Sequence, residues 1–194
     1  MKQWLKTALL GLFSIMLGLG LNYYLDFLPL NYNLLSEKLK IDLTQPHQAK
    51  VEADFSFENF TRIKRSITLF YPFYLKKGHF YPKNLKVHLN GKPWKWENAP
   101  GGVLVTLNFK PRQKLQLELG FTQEYRGDFY KLIAGYSRGW LQPIRKGEIM
   151  VLPGKTPISR ITPEMNRTEE PQDGFYWLKR DNYYDEGVTI QFGR

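Results

Sequence analysis

The 194-residue chain carries a formal net charge of +10 at pH 7 and contains no cysteine. The absence of cysteine excludes disulfides, thiolate metal sites, thiol catalysis and a lipidated cysteine. Hydrophobic residues make up 42% of the chain and aromatic residues 15%, a composition typical of a folded domain and not of a disordered chain.

The first predicted element is an uncharged run that begins at Thr7 and ends at Leu25. It follows Lys2 and Lys6 and closes with a pair of tyrosines. A cationic flank, an apolar run and interfacial aromatics in this order are typical of a membrane helix whose N-terminus stays in the cytoplasm. As a helix, the run would measure about 28 Å, close to the thickness of a hydrocarbon core.

This leader is either an uncleaved anchor or a signal peptide. Gly18-Leu19-Gly20 is a small-x-small triplet of the kind that signal peptidase cleaves, but no Ala-x-Ala follows, so the anchor is preferred. The predicted organisation is a leader at 1–25, a stalk at 26–37 and an extracytoplasmic domain at 38–194. The protein would then be a single-pass membrane protein with its C-terminal domain outside the cytoplasm, or secreted if the leader is cleaved.

Beyond the stalk, apolar and polar residues alternate with a period of two, as in strands that bury one face. The alternating segments are 39–43, 51–58, 63–71, 85–90, 103–109 and 115–121, with weaker runs at 130–134, 148–152, 175–178 and 188–192. Because a half-apolar sheet needs a cover, the pattern predicts an all-β fold, an antiparallel β-sandwich of about eight to ten strands, with a small barrel as the alternative. Residues 155–173 are predicted to form a long surface loop.

No group of residues has the spacing of a catalytic or metal site. His47, His79 and His88 share no ligand spacing with carboxylates and are predicted to be solvated or capping residues. A G-x-S-x-G surrounds Ser137, but a proline follows where a nucleophile elbow needs a helix. The acidic segment 181–186 predicts a hairpin turn, with weak calcium binding as the alternative. No catalytic residue, metal or cofactor is therefore predicted.

Aromatic and basic residues supply the candidate contact surface. Trp94 and Trp96 share one face of their segment and either form a platform for a sugar or lipid or, as preferred, pack in the core. Residues 69–82 mix aromatics with lysines, as at a membrane interface, although a loop folded under the rim of the domain would have the same composition. The candidate ligand-binding residues come from these segments, a nearby strand and a Gly-Trp pair: Trp94, Trp96, Trp140, Lys76, Lys77, Asn84 and Lys86.

Three segments, FENFTRIKRSITLFYP, LKVHLNGK and GYSRGWLQPIRKGEIMVLP, resemble bacterial membrane-anchored or exported β-sandwich domains without an assigned activity. The residues that carry this resemblance are Asn59, Tyr71-Pro72, Asn90-Gly91-Lys92, Gly139-Trp140 and Pro143-Ile144. The resemblance implies a location at a bacterial surface or in a periplasm-like compartment and supplies no activity.

The predicted function is that of a membrane-anchored extracytoplasmic binding or interaction module. Its expected partners are the membrane, anionic lipids or wall polymers, and a partner membrane protein. Nucleic acid is not expected, because the basic domain would lie outside the cytoplasm. An envelope hydrolase or glycan-modifying enzyme with loop carboxylates is the alternative, and a structural subunit of an envelope complex is a third hypothesis. Two acids in a deep cleft would favour the enzyme, and a flat apolar patch would favour the subunit.

Overall fold

A computed structural model describes residues 32–133, 144–167, 175–183 and 187–193. Every regular element in these ranges is a β-strand, which confirms the predicted all-β class. The expected leader lies outside the described residues. Within them, no helix is long and apolar enough to cross a membrane.

Fourteen strands occur in the described ranges, more than the predicted eight to ten, because several are edge segments too short to show an alternating pattern. They are β1 (Tyr32–Asp42), β2 (Gln48–Asn59), β3 (Arg65–Pro72), β4 (Lys83–Leu89), β5 (Lys92–Pro93), β6 (Glu97–Ala99), β7 (Gly102–Phe109), β8 (Lys114–Glu124), β9 (Phe129–Leu132), β10 (Ile144–Leu152), β11 (Ile158–Thr162), β12 (Asn166–Arg167), β13 (Tyr176–Tyr183) and β14 (Val188–Phe192).

The strands form one large and two small sheets. The eight-stranded sheet has the order β12-β13-β10-β1-β2-β8-β4-β5, and the three-stranded sheets have the orders β11-β14-β9 and β3-β7-β6. The expectation of a purely antiparallel arrangement is wrong at one pair, because β1 and β10 run parallel. Alternation reports which face is buried and not the direction of the neighbouring strand, so the sequence could not reveal this pairing.

Three local predictions also differ from the structure. β1 begins at Tyr32, so residues 32–37, predicted as part of the stalk, belong to the large sheet. The predicted surface loop at 155–173 contains β11 and β12, which are short and pair at sheet edges. The acidic segment at 181–186 was predicted as a turn, but β13 continues through Asp181 to Tyr183.

One core holds the three sheets together. On β2, Val51, Ala53, Phe55 and Phe57 are buried, and Phe55 lies opposite Leu117 of β8. Buried residues from all three sheets join the same cluster. Each fully buried large apolar side chain contributes roughly 1.5–3 kcal/mol, so this shared burial is the main stabilising term.

Charged residues occupy the other face of the large sheet. Lys38 of β1 lies 3.7 Å from Glu148 of β10, and Lys50 lies 2.7 Å from Glu52 on β2. These pairs are largely solvent-exposed. Each therefore contributes little to stability, about 0–1 kcal/mol. Their main effect is to leave this face with its charges compensated.

The turns collect at two ends of the domain. We call the end at which β1 begins the proximal end, formed also by residues 59–64, residues 110–113 and the start of β10. The opposite, distal end contains the segments that follow β1, β3, β8 and β10, which are residues 43–47, 73–82, 125–128 and 153–157. The eleven residues of β1 separate the two ends by about 36 Å at roughly 3.3 Å per residue.

Gly102 is required by a close approach at the start of β7. A Cβ atom there would collide with the carbonyl oxygen of Tyr71 and the ring of Phe70. We expect Gly102→Ala to lower the free energy of unfolding by about 1–3 kcal/mol, as overpacking does. Gly120→Ala is the matched control, because the nearest atom to its Cβ would be the Val51 oxygen at 3.9 Å. Urea unfolding followed by tryptophan fluorescence measures both, and equal stabilities would contradict this assignment.

Candidate functional site

The β3–β4 loop, residues 73–82, is fixed to the body of the domain by a buried amide. Gln123 of β8 is 1% exposed, and its Nε2 donates to the carbonyl oxygens of Tyr74 and Phe80, each at 2.9 Å. The hydroxyl of Tyr130, itself fully buried, donates to Gln123 Oε1 at 3.1 Å. Because buried polar groups are costly to leave unbonded, this network holds the loop in one conformation.

His79 provides the second attachment of the loop. Its Nδ1 lies 3.0 Å from the carbonyl oxygen of Lys76, and its Nε2 accepts the backbone N–H of Lys131 at 3.0 Å. Because Nε2 is an acceptor, the neutral ring carries its proton on Nδ1 and donates it to the carbonyl. The Lys131 N–H belongs to the edge strand β9, so the imidazole also satisfies an edge group that would otherwise be available to another strand.

Aromatic rings surround this histidine. Tyr74 meets His79 edge-on at 4.8 Å between ring centroids, and Tyr130 stacks with it at 5.6 Å. Burial lowers the pKa of His79 below its ordinary value of 6.5. Burial also raises the pKa of Tyr125 to about 12, and it raises the pKa of Tyr130. The prediction that His79 is a solvated or capping residue is right about its capping contacts, but the side chain is buried.

The outer surface of the loop is apolar and basic. Among the described residues, the large hydrophobic side chains that are exposed are Leu75, Phe80 and Tyr81, at 37%, 40% and 43%. All three belong to this loop, and Lys76 and Lys77 between them are also exposed. Single exposed hydrophobic residues are ordinary, but here the exposed ones of the described chain are concentrated in one loop, which is therefore the main candidate contact surface.

A cleft adjoins the loop at the distal end. It has a volume of about 540 Å³ and is lined by Phe80, Arg126 and the segment Gln45–Gln48, among others. The Arg126 guanidinium lies 5.1 Å from the centroid of the Phe80 ring. A second cleft of about 270 Å³ shares Tyr125 with the first, and this ring stacks on Phe192 at 5.5 Å. The pair of clefts offers aromatic, amide and cationic groups together.

The structure separates the residues that the sequence grouped as one candidate surface. Lys76 and Lys77 lie on the distal loop, whereas Lys86 is exposed on β4 within the large sheet. Asn84, near the start of β4, is exposed and has a φ of 56°. Trp140 lies outside the described residues.

Trp94 and Trp96 are half-buried and pack against the core, which agrees with the preferred prediction of core packing and not with that of a ligand platform. Trp94 donates its indole N–H to the carbonyl oxygen of Thr106 on β7 at 2.9 Å. Sequence reasoning did not single out Arg126 as a candidate contact residue. Its proximity to Phe80 depends on a pairing between distant segments that local patterns do not encode.

No metal site is found in the described part of the chain. Asp54 and Glu118 face each other across β2 and β8 on the exposed face of the large sheet and not in a cleft. Partial burial and the neighbouring Glu118 and Glu52 raise the pKa of Asp54. Asp181 lies on β13, while Asp185 and Glu186, which completed the calcium alternative, lie outside the described residues.

Comparison with known proteins finds similarity at the level of fold. Neither a family model nor a curated relative matches the sequence. A Legionella pneumophila protein with a suggested role in nutrient binding aligns with a TM-score of 0.67 and 14% identity, over 84% of this chain and 67% of that one.

Two further structures are also similar. An M1 zinc metallopeptidase from Deinococcus radiodurans has a TM-score of 0.51 and 13% identity over 83% of this chain. Leukotriene A4 hydrolase from Saccharomyces cerevisiae has a TM-score of 0.53 and 12% identity over 84%. The chain spans only 42% and 29% of these two proteins. At such identities the likeness shows the fold alone.

The buried imidazole predicts a specific pH dependence. The unfolded chain takes up a proton at His79 with the ordinary pKa of 6.5, whereas the folded pKa is lower. The contribution of His79 to stability is therefore complete above pH 6.5 and is lost as the pH falls toward the folded pKa. NMR titration of the imidazole should give a pKa below 6.5.

Unfolding experiments across the same pH range test the link to stability. We expect His79→Gln to be less stable near neutral pH and to lose less stability on acidification than the wild type. Leu132→Ala is the control, because it removes a buried side chain of β9 but keeps the imidazole and hence the pH slope. Identical slopes for His79→Gln and the wild type would contradict the assignment.

Proposed function

We propose that this chain is a membrane-anchored extracytoplasmic binding module, a β-sandwich domain that follows a single N-terminal membrane segment and binds its ligand at the distal end. The observation that carries the proposal is the clustering of Leu75, Phe80 and Tyr81 on one fixed loop beside Lys76 and Lys77. A fixed loop binds without a large ordering cost, because its conformation is already set before the ligand arrives.

The chemistry of this end favours an anionic envelope polymer as the ligand. Lys76, Lys77 and Arg126 supply positive charge for phosphate or carboxylate groups. Exposed rings such as Phe80 provide apolar surface for the faces of sugar or polyol units, and the amides of Gln45 and Gln48 line the adjoining cleft. A partner membrane protein with acidic and apolar side chains would contact the cations and the exposed rings but would not fill the cleft.

No observation favours the enzyme alternative to the same degree. Glu124 is the acid that lines the larger distal cleft, and its carboxylate accepts from Lys83 Nζ at 2.7 Å. Among the described residues, the smaller cleft has no acid in its lining. The described lining of neither cleft therefore offers a pair of carboxylates on opposite sides of a substrate, which glycoside hydrolysis needs.

The membrane topology gives one test. The full chain, expressed in a bacterium with a C-terminal tag, is expected to remain with membranes after alkaline carbonate extraction. The tag should be digested when protease is added to spheroplasts, since the positive flank keeps only the N-terminus inside. A cleaved leader would instead give a shorter, soluble exported protein. A protected tag would exclude the proposed orientation.

The binding surface gives a second test, in which the full chain in detergent is assayed on immobilised polyglycerol phosphate and polygalacturonate. Lys76→Glu/Lys77→Glu should weaken binding about tenfold or more, equivalent to at least about 1.4 kcal/mol. Lys92→Glu/Lys95→Glu makes the same change in net charge on a different segment and should leave binding intact. If only Lys92→Glu/Lys95→Glu lost binding, the ligand would instead lie at the segment that contains Trp94 and Trp96.

Salt and aromatic substitution complete this test. Binding should fall steeply toward 1 M salt, where the Debye length is about 3 Å. Phe80→Ala should weaken binding at every salt concentration, because it removes apolar contact and not charge. Retention that is indifferent to salt, or equal retention on uncharged dextran, would count against an anionic ligand.

A further inference from the structure

The proximal end is organised around one buried asparagine. Asn59 is fully buried, and its Nδ2 donates to the carbonyl oxygens of Ile63 and Lys110, each at 2.9 Å. Its Oδ1 accepts from the backbone N–H and the hydroxyl of Thr61. The N–H of Arg112 donates to the Thr61 carbonyl oxygen at 3.1 Å. The β2–β3 loop and the β7–β8 turn therefore form one continuous, fixed surface.

This surface is strongly basic. Five of its exposed cations form no ion pair with any described residue: Arg62, Lys64, Lys110, Arg112 and Arg145. The Arg145 guanidinium lies 5.7 Å from the centroid of the Phe60 ring, which links the start of β10 to the β2–β3 loop.

Among the residues that the structure describes, the acids near this surface lie beside other cations. Glu58 is opposite Lys114 in the β2–β8 register, and Asp181 is opposite Lys146 in the β10–β13 register. These acids offset those two lysines and leave the charge of the five cations in excess. The large sheet differs, because several of its exposed lysines have carboxylate partners.

The proximal end is also where the leader joins the domain. Tyr32, the first residue of β1, is opposite Asn59 of β2. Only residues 26–31 separate the predicted membrane segment from β1. Six residues span at most about 20 Å when fully extended, at roughly 3.3–3.6 Å per residue. A domain held by so short a connection keeps its proximal end close to the bilayer surface.

We propose that the proximal end is a docking surface for anionic phospholipid headgroups, a conclusion that rests on the membrane anchor of the proposed function. Arginine and lysine side chains at the membrane surface bind phosphate groups by charge-assisted hydrogen bonds and are attracted by an anionic leaflet. The interaction orients the domain upright, with its distal end directed away from the bilayer. The distal aromatics then face the envelope and not the lipid.

The absence of cysteine allows a direct test with single-cysteine labels. A fluorophore is placed either at the proximal turn, with Pro111→Cys, or at the distal end, with Thr156→Cys; both positions are exposed. The full chain is reconstituted into nanodiscs of phosphatidylcholine, with or without phosphatidylglycerol, that carry a nitroxide on the headgroup. Quenching of each label reports its distance from the lipid surface.

We expect the label at 111 to be quenched at least about twofold more in discs that contain phosphatidylglycerol. High salt should abolish the difference, because the Debye length falls from about 10 Å at 0.1 M to about 3 Å at 1 M. Arg62→Glu/Arg112→Glu should also abolish it, whereas Lys76→Glu/Lys77→Glu, which makes the same change in charge at the distal end, should not. The label at 156 should remain unquenched in both kinds of disc, and circular dichroism checks that each variant is folded.

The failures are distinguishable. If the chain does not enter the discs, the membrane anchor is wrong, and the docking proposal falls with it. If the chain enters and the label at 111 is quenched equally in both kinds of disc, only the lipid proposal is overturned. Stronger quenching at 156 than at 111 would reverse the orientation and would assign the lipid contact to the distal loop instead.

Discussion

The structure depends on burying one face of the eight-stranded sheet. Strand β2, between β1 and β8, presents alternate apolar side chains to the core, and the other face of the sheet carries charged residues. A sheet with one apolar face is stable only when that face is covered, and here residues of both three-stranded sheets join the same core cluster. One face of the sheet packs in the core and the other carries paired charges. The groups that could recognise a ligand therefore lie at the ends of the strands.

The same constraint explains which parts of the fold the sequence could predict. Strands β2, β7 and β8 have unbroken alternation and were predicted within a few residues of their bounds. Strand β1 was predicted to begin too late, because Glu37 occupies a fully buried position where alternation calls for an apolar residue. An acid on the inward face ends the pattern in a sequence, although the backbone continues as a strand.

Hydrogen bonds between side chains and distant segments could not be predicted from local sequence patterns. Nothing around His79 in the sequence indicates that its ring accepts the N–H of Lys131, a residue 52 positions later. Likewise, Gln123 reads as a polar residue of β8, yet it is buried and bonded to the β3–β4 loop. The composition of segment 69–82 did point to an aromatic and basic surface, but the choice between exposure and burial depended on these contacts. The outcome is mixed, since Phe73 is buried and Phe80 is exposed.

The two ends of the domain differ in the kind of partner that each could recognise. The distal end combines exposed rings, cations and concave clefts, which together suit a ligand with shape as well as charge. The proximal end offers exposed cations on a fixed surface, which suits a partner defined by charge alone, as a layer of headgroups is. If the leader inserts in a bilayer, a domain about 36 Å long cannot present both ends to the lipid. In that arrangement the distal end, which carries the clefts, would face the envelope. A fluid headgroup layer has no fixed shape for a cleft to match.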